Sequence, residues 1–155
     1  MSAQTTPARS GLRNWTPAQL FALVFGLVYL AVGVAGFAVT GFSDFAGMHH
    51  DKLLIFSVNP AHNVIHLAMG LGWLAAAPHH RAAKAVNLLF GVVLGLVTVL
   101  GVFDGMGMLG MSGLADPDNF LHLATATLSL YFGTAAAESG RGAEEFAADE
   151  PEHVF

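Results

Sequence analysis

Residues 17–42 read PAQLFALVFGLVYLAVGVAGFAVTGF, an apolar stretch in which Tyr29 is the only ionisable side chain. A helix needs about 20 apolar residues to cross roughly 30 Å of hydrocarbon. In hydrocarbon every backbone polar group needs an internal partner, so the stretch predicts a transmembrane helix and not a loop. Arg9 and Arg13 precede it, as in a signal peptide, but it is longer than the about 7–15 apolar residues of such a segment.

Three further apolar stretches, at about 60–77, 84–103 and 117–137, predict three more spans. The chain is 54% hydrophobic and 11% charged, whereas soluble domains contain about 25% charged residues. The sequence therefore predicts an all-α, integral membrane four-helix bundle over 17–137, with the lipid bilayer as its solvent. Residues 1–16 are expected to be a cytoplasmic segment, and the Gly- and Glu-rich residues 138–155 a disordered acidic tail.

Basic residues collect on one side of the four-span arrangement, which predicts its orientation. That side carries Arg9, Arg13, Arg81, Lys84 and Arg141. The other side carries Lys52 and several aspartates. The positive-inside rule places the basic side, with both termini, in the cytoplasm. The loops 43–59 and 104–116 then face outward from a multi-pass protein of the plasma membrane.

Several function classes find no support in the composition. The absence of cysteine excludes disulfides, thiolate catalysis and iron–sulfur clusters, and it leaves histidine and carboxylates as the plausible metal ligands. No basic, aromatic-interleaved stripe indicates nucleic acid. The chain has no nucleophile–base pattern, phosphate loop or pair of carboxylates across spans. A role other than catalysis is therefore favoured.

The chain contains a candidate internal repeat. Residues 63–68 read NVIHLA and residues 119–124 read NFLHLA. A capping residue followed by proline precedes each copy, as Asn59-Pro60 and Asp116-Pro117, and both pairs are typical of helix starts. FGLV at 25–28 resembles FGVV at 90–93. The pattern predicts two repeated helical hairpins, related by a pseudo-two-fold axis along the membrane normal.

The second and fourth spans each carry a polar stripe at helical spacing, which is expected to face the bundle interior. His66 and His122 lie about 8–9 Å below the starts of their helices, in the outer half of the membrane. The candidate site consists of Asn59, His62, Asn63, His66, Asp118, Asn119 and His122.

Three interpretations of this site remain open. The favoured one is a hydrogen-bonded network that joins the hairpins of a structural or accessory subunit, which acts with a membrane protein partner or in a homo-oligomer. The second is a ligand site, because His66 and His122 suit haem b, and His62, His66 and His122 suit a divalent metal. The third is proton or ion conduction, but the inner half of the bundle offers no relay of ionisable groups.

The outer loop 104–116 is rich in methionine and glycine, with Met106, Met108 and Met111. Thioethers bind Cu(I), but methionine also serves as an adaptable apolar residue. The favoured interpretation of these methionines is an adaptable apolar loop that lies on the bundle, and not a copper site.

Two motifs carry a family resemblance: NPxHNxxHL at 59–67, followed by Gly70, and DNxxHL at 118–123. Together they resemble a family of small four-helix bacterial membrane proteins, common in actinobacteria, called domain of unknown function 4383. The resemblance covers about 17–137. It implies a four-helix membrane fold in a bacterial plasma membrane, and it implies no activity.

Overall fold

A computed structural model describes residues 15–47, 51–111 and 113–134. In this part of the chain four helices occur: α1 (Pro17–Thr40), α2 (Pro60–Ala76), α3 (His80–Val102) and α4 (Pro117–Thr134). Strands β1 (Asp51–Leu53) and β2 (Phe56–Val58) follow α1, and a short 3-10 helix (Gly107–Leu109) follows α3. The predicted cytoplasmic segment, apart from residues 15 and 16, and the predicted acidic tail lie outside the described residues.

Local signals explain where the helices begin and end. Thr16 and Gln19 form a capping box at the start of α1, and Pro17 occupies its first turn. Asn59 caps α2 through its side chain. The helix α1 ends at Gly41, whose φ of 61° suits a residue without a Cβ.

Two of the described helices, α1 and α3, are long and apolar enough to cross a membrane. The helices α2 and α4 contain 17 and 18 residues, which makes them about 26–27 Å long. The helix α3 begins at His80, earlier than the predicted residue 84, because hydropathy marks only the apolar part of a helix. Its first turn is tied to α1 by a contact of 2.9 Å between Thr16 Oγ1 and His80 Nδ1.

Glycines let α1 pack closely on α2, and α3 on α4. A Cβ at Gly26 would lie 2.8 Å from Leu74 Cγ and 3.0 Å from the Leu74 backbone nitrogen. A Cβ at Gly91 would lie at the same distances from the same atoms of Leu130. The two helix pairs therefore share one packing contact, and in both the glycine lies in the odd-numbered helix.

Polar side chains point into the bundle and apolar ones point out. Asn63, Asn87 and Ser129 are fully buried, whereas Leu71 and Leu96 are more than half exposed. All four helices expose large apolar side chains in this way. This distribution is the reverse of the one expected for a small protein in water.

A polar node joins the four helices away from the histidines. Trp73 Nε1 of α2 donates to Asn87 Oδ1 of α3 at 3.0 Å, and Asn87 Nδ2 donates to the carbonyl of Ala18 in α1 at 3.1 Å. Ser129 Oγ of α4 donates to the backbone carbonyl of Asn87 at 2.8 Å. One asparagine thus contacts every other helix.

The all-α prediction needs correction, because the connection between α1 and α2 contains a small antiparallel sheet. Asp51 pairs with Val58, and Leu53 pairs with Phe56. The two strands satisfy backbone groups of a segment that the sequence predicts to be an irregular loop. Leu54, in the turn, has a φ of 59°. Because hairpin turns with positive φ usually carry Gly, Asn or Asp, the sequence gives no turn signal here.

Candidate metal centre

Three histidines from two helices meet near the starts of α2 and α4. His62 and His66 are one turn apart on α2, and their ring centroids are 4.5 Å apart. The ring of His122 on α4 lies 6.0 Å from that of His62 and 6.1 Å from that of His66. Each histidine offers one nitrogen such that the three atoms lie within 4.8 Å of one another. All three are buried, with 2–5% of their surface exposed.

The start of α2 is fixed by Asn59. Its Oδ1 accepts from the backbone N–H of His62 at 2.9 Å, and its Nδ2 donates to the carbonyl of Met108 in the α3–α4 connection at 2.7 Å. Asn59 therefore ties the α3–α4 connection to the helix that carries two of the histidines, and it contributes to the site by positioning.

Asp118 brings a carboxylate from the first turn of α4. Its Oδ2 lies 3.4 Å from His62 Nε2, and its backbone N–H donates to Asp116 Oδ1 at 2.9 Å. Asp118 is the only acidic residue that is buried in the part of the chain the structure describes. A carboxylate beside an imidazole is the usual device that orients a metal-bound histidine.

The asparagines of the two motifs do not join the histidine cluster. Asn63 Nδ2 donates to Thr40 Oγ1 at 3.0 Å, and its amide lies where a Cβ at Gly36 would be. Asn119 Nδ2 donates to the carbonyl of Gly113 at 2.8 Å, and its amide lies against Gly101 in the same way. Asn63 therefore contributes to the packing of α1 on α2, and Asn119 to the packing of α3 on α4.

Two of the imidazoles have an unused nitrogen. Nδ1 of His66 and Nδ1 of His122 are buried and have no hydrogen-bond partner among the residues that the structure describes. A buried polar group without a partner costs about 1–3 kcal/mol. A bound cation is one way to offset this cost, because a neutral imidazole nitrogen is a common metal ligand.

Aromatic side chains close the bundle below the cluster. The Tyr29 ring lies 5.0 Å from the ring of His66 and 4.9 Å from the ring of Trp73. The Phe90 ring then packs at 4.9 Å against Trp73. Aromatic rings therefore fill the space between His66 and Phe90.

A cavity that no sequence pattern indicates lies beside the histidines. Its volume is about 160 Å³, and Met69, Met106 and Met111 contribute to its lining. Met69 follows His66 by three residues, a spacing that puts both on one face of α2. That spacing is a sequence signal that Met69 lies beside the histidines. The loop methionines gave no comparable signal, because their approach depends on how the loop folds.

Comparison with known proteins identifies a family. The sequence model described as "Domain of unknown function (DUF4383)" matches residues 19–135. The chain belongs to the DUF4383 family. No curated protein and no solved structure matches it. The match confirms the resemblance drawn from the two motifs, and it brings no activity with it. The DUF4383 match includes α2, α4 and all three clustered histidines.

Proposed function

We propose that this DUF4383 protein spans the membrane four times and holds a transition-metal ion between His62, His66 and His122. The observation that carries the proposal is the convergence of three buried histidines whose ligand atoms lie within 4.8 Å of one another. Nitrogen ligands lie about 2.0–2.1 Å from zinc. Three such nitrogens around one tetrahedral ion are about 3.4 Å apart. Small rotations of the histidine side chains would bring the nitrogens from within 4.8 Å of one another to that distance.

The exposed surface supports a membrane environment. Apolar side chains are exposed on all four helices, whereas the polar ones are buried. Hydrocarbon would solvate such a surface, and it would favour the burial of polar groups against one another. The helices α2 and α4 are shorter than α1 and α3 but remain compatible with a membrane. Their polar starts, at Asn59 and Asp118, are buried, because the loops that precede them cover this end of the bundle.

The charge distribution supports an orientation with the histidines toward the outer side. Arg81 and Lys84 lie at the start of α3, at the opposite end of the bundle from the loops that carry Asp51, Asp104 and Asp116. By the positive-inside rule the α2–α3 connection is cytoplasmic. Both termini then lie in the cytoplasm as well.

The packing supports a repeat of two helical hairpins. Gly26 and Gly91 make corresponding contacts, and so do Gly36 and Gly101, each against the asparagine of its motif. A pseudo-two-fold axis would bring His66 and His122 to one depth. His62 breaks the symmetry, because the residue at the corresponding position of α4 is Asp118. The site therefore contains three histidines and one carboxylate instead of two identical halves.

A metal ion fits the geometry better than haem does. The cavity of about 160 Å³ is smaller than the roughly 300–1,000 Å³ of pockets for drug-sized ligands. A haem held between His66 and His122 would need open space between their rings. His62 packs against His66 and lies 6.0 Å from His122, so its ring occupies part of that space. The unused nitrogens of His66 and His122 weigh against a network held by hydrogen bonds alone.

The test is metal stoichiometry in the purified full chain. Zn²⁺ or Co²⁺ is supplied in excess, unbound metal is removed, and bound metal is measured by mass spectrometry. About one ion per chain is expected in the wild type, and much less in His66→Ala and His122→Ala. His79→Ala is the matched control, because His79 lies in the α2–α3 connection and is exposed.

Stability gives a second measure of the same proposal. A metal at 100 times its Kd stabilises a folded protein by about 2.7 kcal/mol, so added metal should raise the thermal stability of the wild type and not that of His66→Ala. A purely structural histidine would behave differently. Its loss would cost about 0.6–1.7 kcal/mol, as for an interhelical hydrogen bond, and added metal would have no effect on either protein.

A further inference from the structure

Methionines, whose side chains carry a second type of metal-binding atom, border the cavity beside the histidines. Three of the four methionines that the structure describes line it: Met69, Met106 and Met111. The fourth, Met108, is 55% exposed and is not among the lining residues. The histidines and the methionines therefore border the same cavity.

The fold of the second outer loop holds two of these methionines in place. The backbone N–H of Met111 donates to the carbonyl of Met106 at 3.3 Å across the 3-10 turn, and Met111 is fully buried. Gly110, with a φ of 90°, lies so close to the first outer loop that a Cβ would be 2.7 Å from the carbonyl oxygen of Ser57. Asn59 secures the same turn through the carbonyl of Met108.

Charge and ligand softness point to one class of ion. The one buried carboxyl group among the described residues is that of Asp118, and in its ionised form it balances one positive charge. The Born cost of burying an ion rises with the square of its charge, so a monovalent ion costs about a quarter as much as a divalent ion of equal size. Thioether sulfur is a soft ligand that selects Cu(I), and imidazole binds copper as well.

We propose that the site is built for Cu(I), with Met106 and Met111 supplying thioether ligands next to the histidines. This inference rests on the proposed histidine site and names its metal. The loop methionines would then decide which ion binds, whereas the histidines are needed for any transition metal. Met69, on α2, borders the same cavity from below.

The experiment compares two metals in three methionine variants of the full chain. Cu(I) affinity is measured under reducing, oxygen-free conditions by competition with a chromogenic Cu(I) chelator, and Zn²⁺ affinity is measured in parallel. Met106→Leu and Met111→Leu should weaken Cu(I) binding by about tenfold or more, while Zn²⁺ binding changes little. Met108→Leu is the control and should bind both metals like the wild type. Leucine conserves volume, so these variants are expected to fold.

The outcomes separate the inference from the proposed function. If Zn²⁺ binding needs His66 and His122 but Cu(I) binding is equal in all three methionine variants, the copper inference is wrong and the histidine site stands. If neither metal depends on the histidines, both proposals fail. X-ray absorption adds an independent check, since Cu(I)-loaded wild type should show sulfur scattering that weakens in Met106→Leu and Met111→Leu. Sulfur scattering that is unchanged in both variants would also overturn the inference.

Discussion

Replacing Asn87 by leucine tests the account of how the four helices are held together. The Asn87 side chain accepts from Trp73 Nε1 and donates to the carbonyl of Ala18. Asn87→Leu removes both hydrogen bonds. Interhelical side-chain hydrogen bonds in membranes contribute about 0.6 kcal/mol on average, and about 1.7 at most. The loss in unfolding free energy should therefore be about 1.2–3.4 kcal/mol, toward the upper end because Trp73 keeps a buried N–H.

The assay is unfolding of the purified protein in mixed micelles by increasing SDS, followed by circular dichroism. Trp73→Phe should remove one of the two bonds, which costs about 0.6–1.7 kcal/mol, and the smaller ring should also lose packing against Tyr29 and Phe90. In the double variant the two losses should not add, because the bond between the residues is counted in both. Leu89→Ala, at a position 57% exposed on the same helix, should change stability by at most about 0.5 kcal/mol. Wild-type stability in Asn87→Leu, or full additivity in the double variant, would refute the reasoning.

Further predictions concern packing, pH and orientation. Gly36→Ala and Gly101→Ala should each destabilise the protein by about 1–3 kcal/mol, because the new methyl group would overlap the asparagine amide of the facing helix. Gly95→Ala, whose Cβ would meet nothing within 4 Å, should be neutral or slightly stabilising by thermal denaturation. Metal affinity measured by equilibrium dialysis should fall as the pH is lowered, because protons compete for the imidazole nitrogens, so metal-dependent stability is present at high pH and lost at low pH. In this cysteine-free chain, Met108→Cys should react with an impermeant thiol reagent added outside intact cells, whereas His79→Cys should react only after permeabilisation; the reverse pattern would invert the proposed orientation.

The features that the sequence predicted well depend on short-range rules. Asn59-Pro60 and Asp116-Pro117 mark the starts of α2 and α4, because capping and proline act within one turn. Helical periodicity places His62 and His66 on one face. The approach of His66 to His122 follows from the expectation that the polar faces of α2 and α4 both turn toward the bundle interior.

The features that it missed depend on contacts between distant residues. The bond from Trp73 to Asn87 links two helices whose relative rotation no local pattern specifies. The strands around Leu54 lack a turn signal, since that residue adopts a positive φ without being glycine. The approach of Met111 to the histidines requires the α3–α4 connection to fold back over the bundle. Periodicity cannot predict such a path.

The position of a bound metal tests the central claim most directly. An experimental structure of the full chain, loaded with metal and recorded at that metal's absorption edge, would show the ion as an anomalous peak. One peak is expected at about 2.0–2.1 Å from a ring nitrogen of each of His62, His66 and His122, with Asp118 still beside His62. A metal-loaded structure with no peak between these three rings, or with its peak at an exposed histidine such as His79, would contradict it.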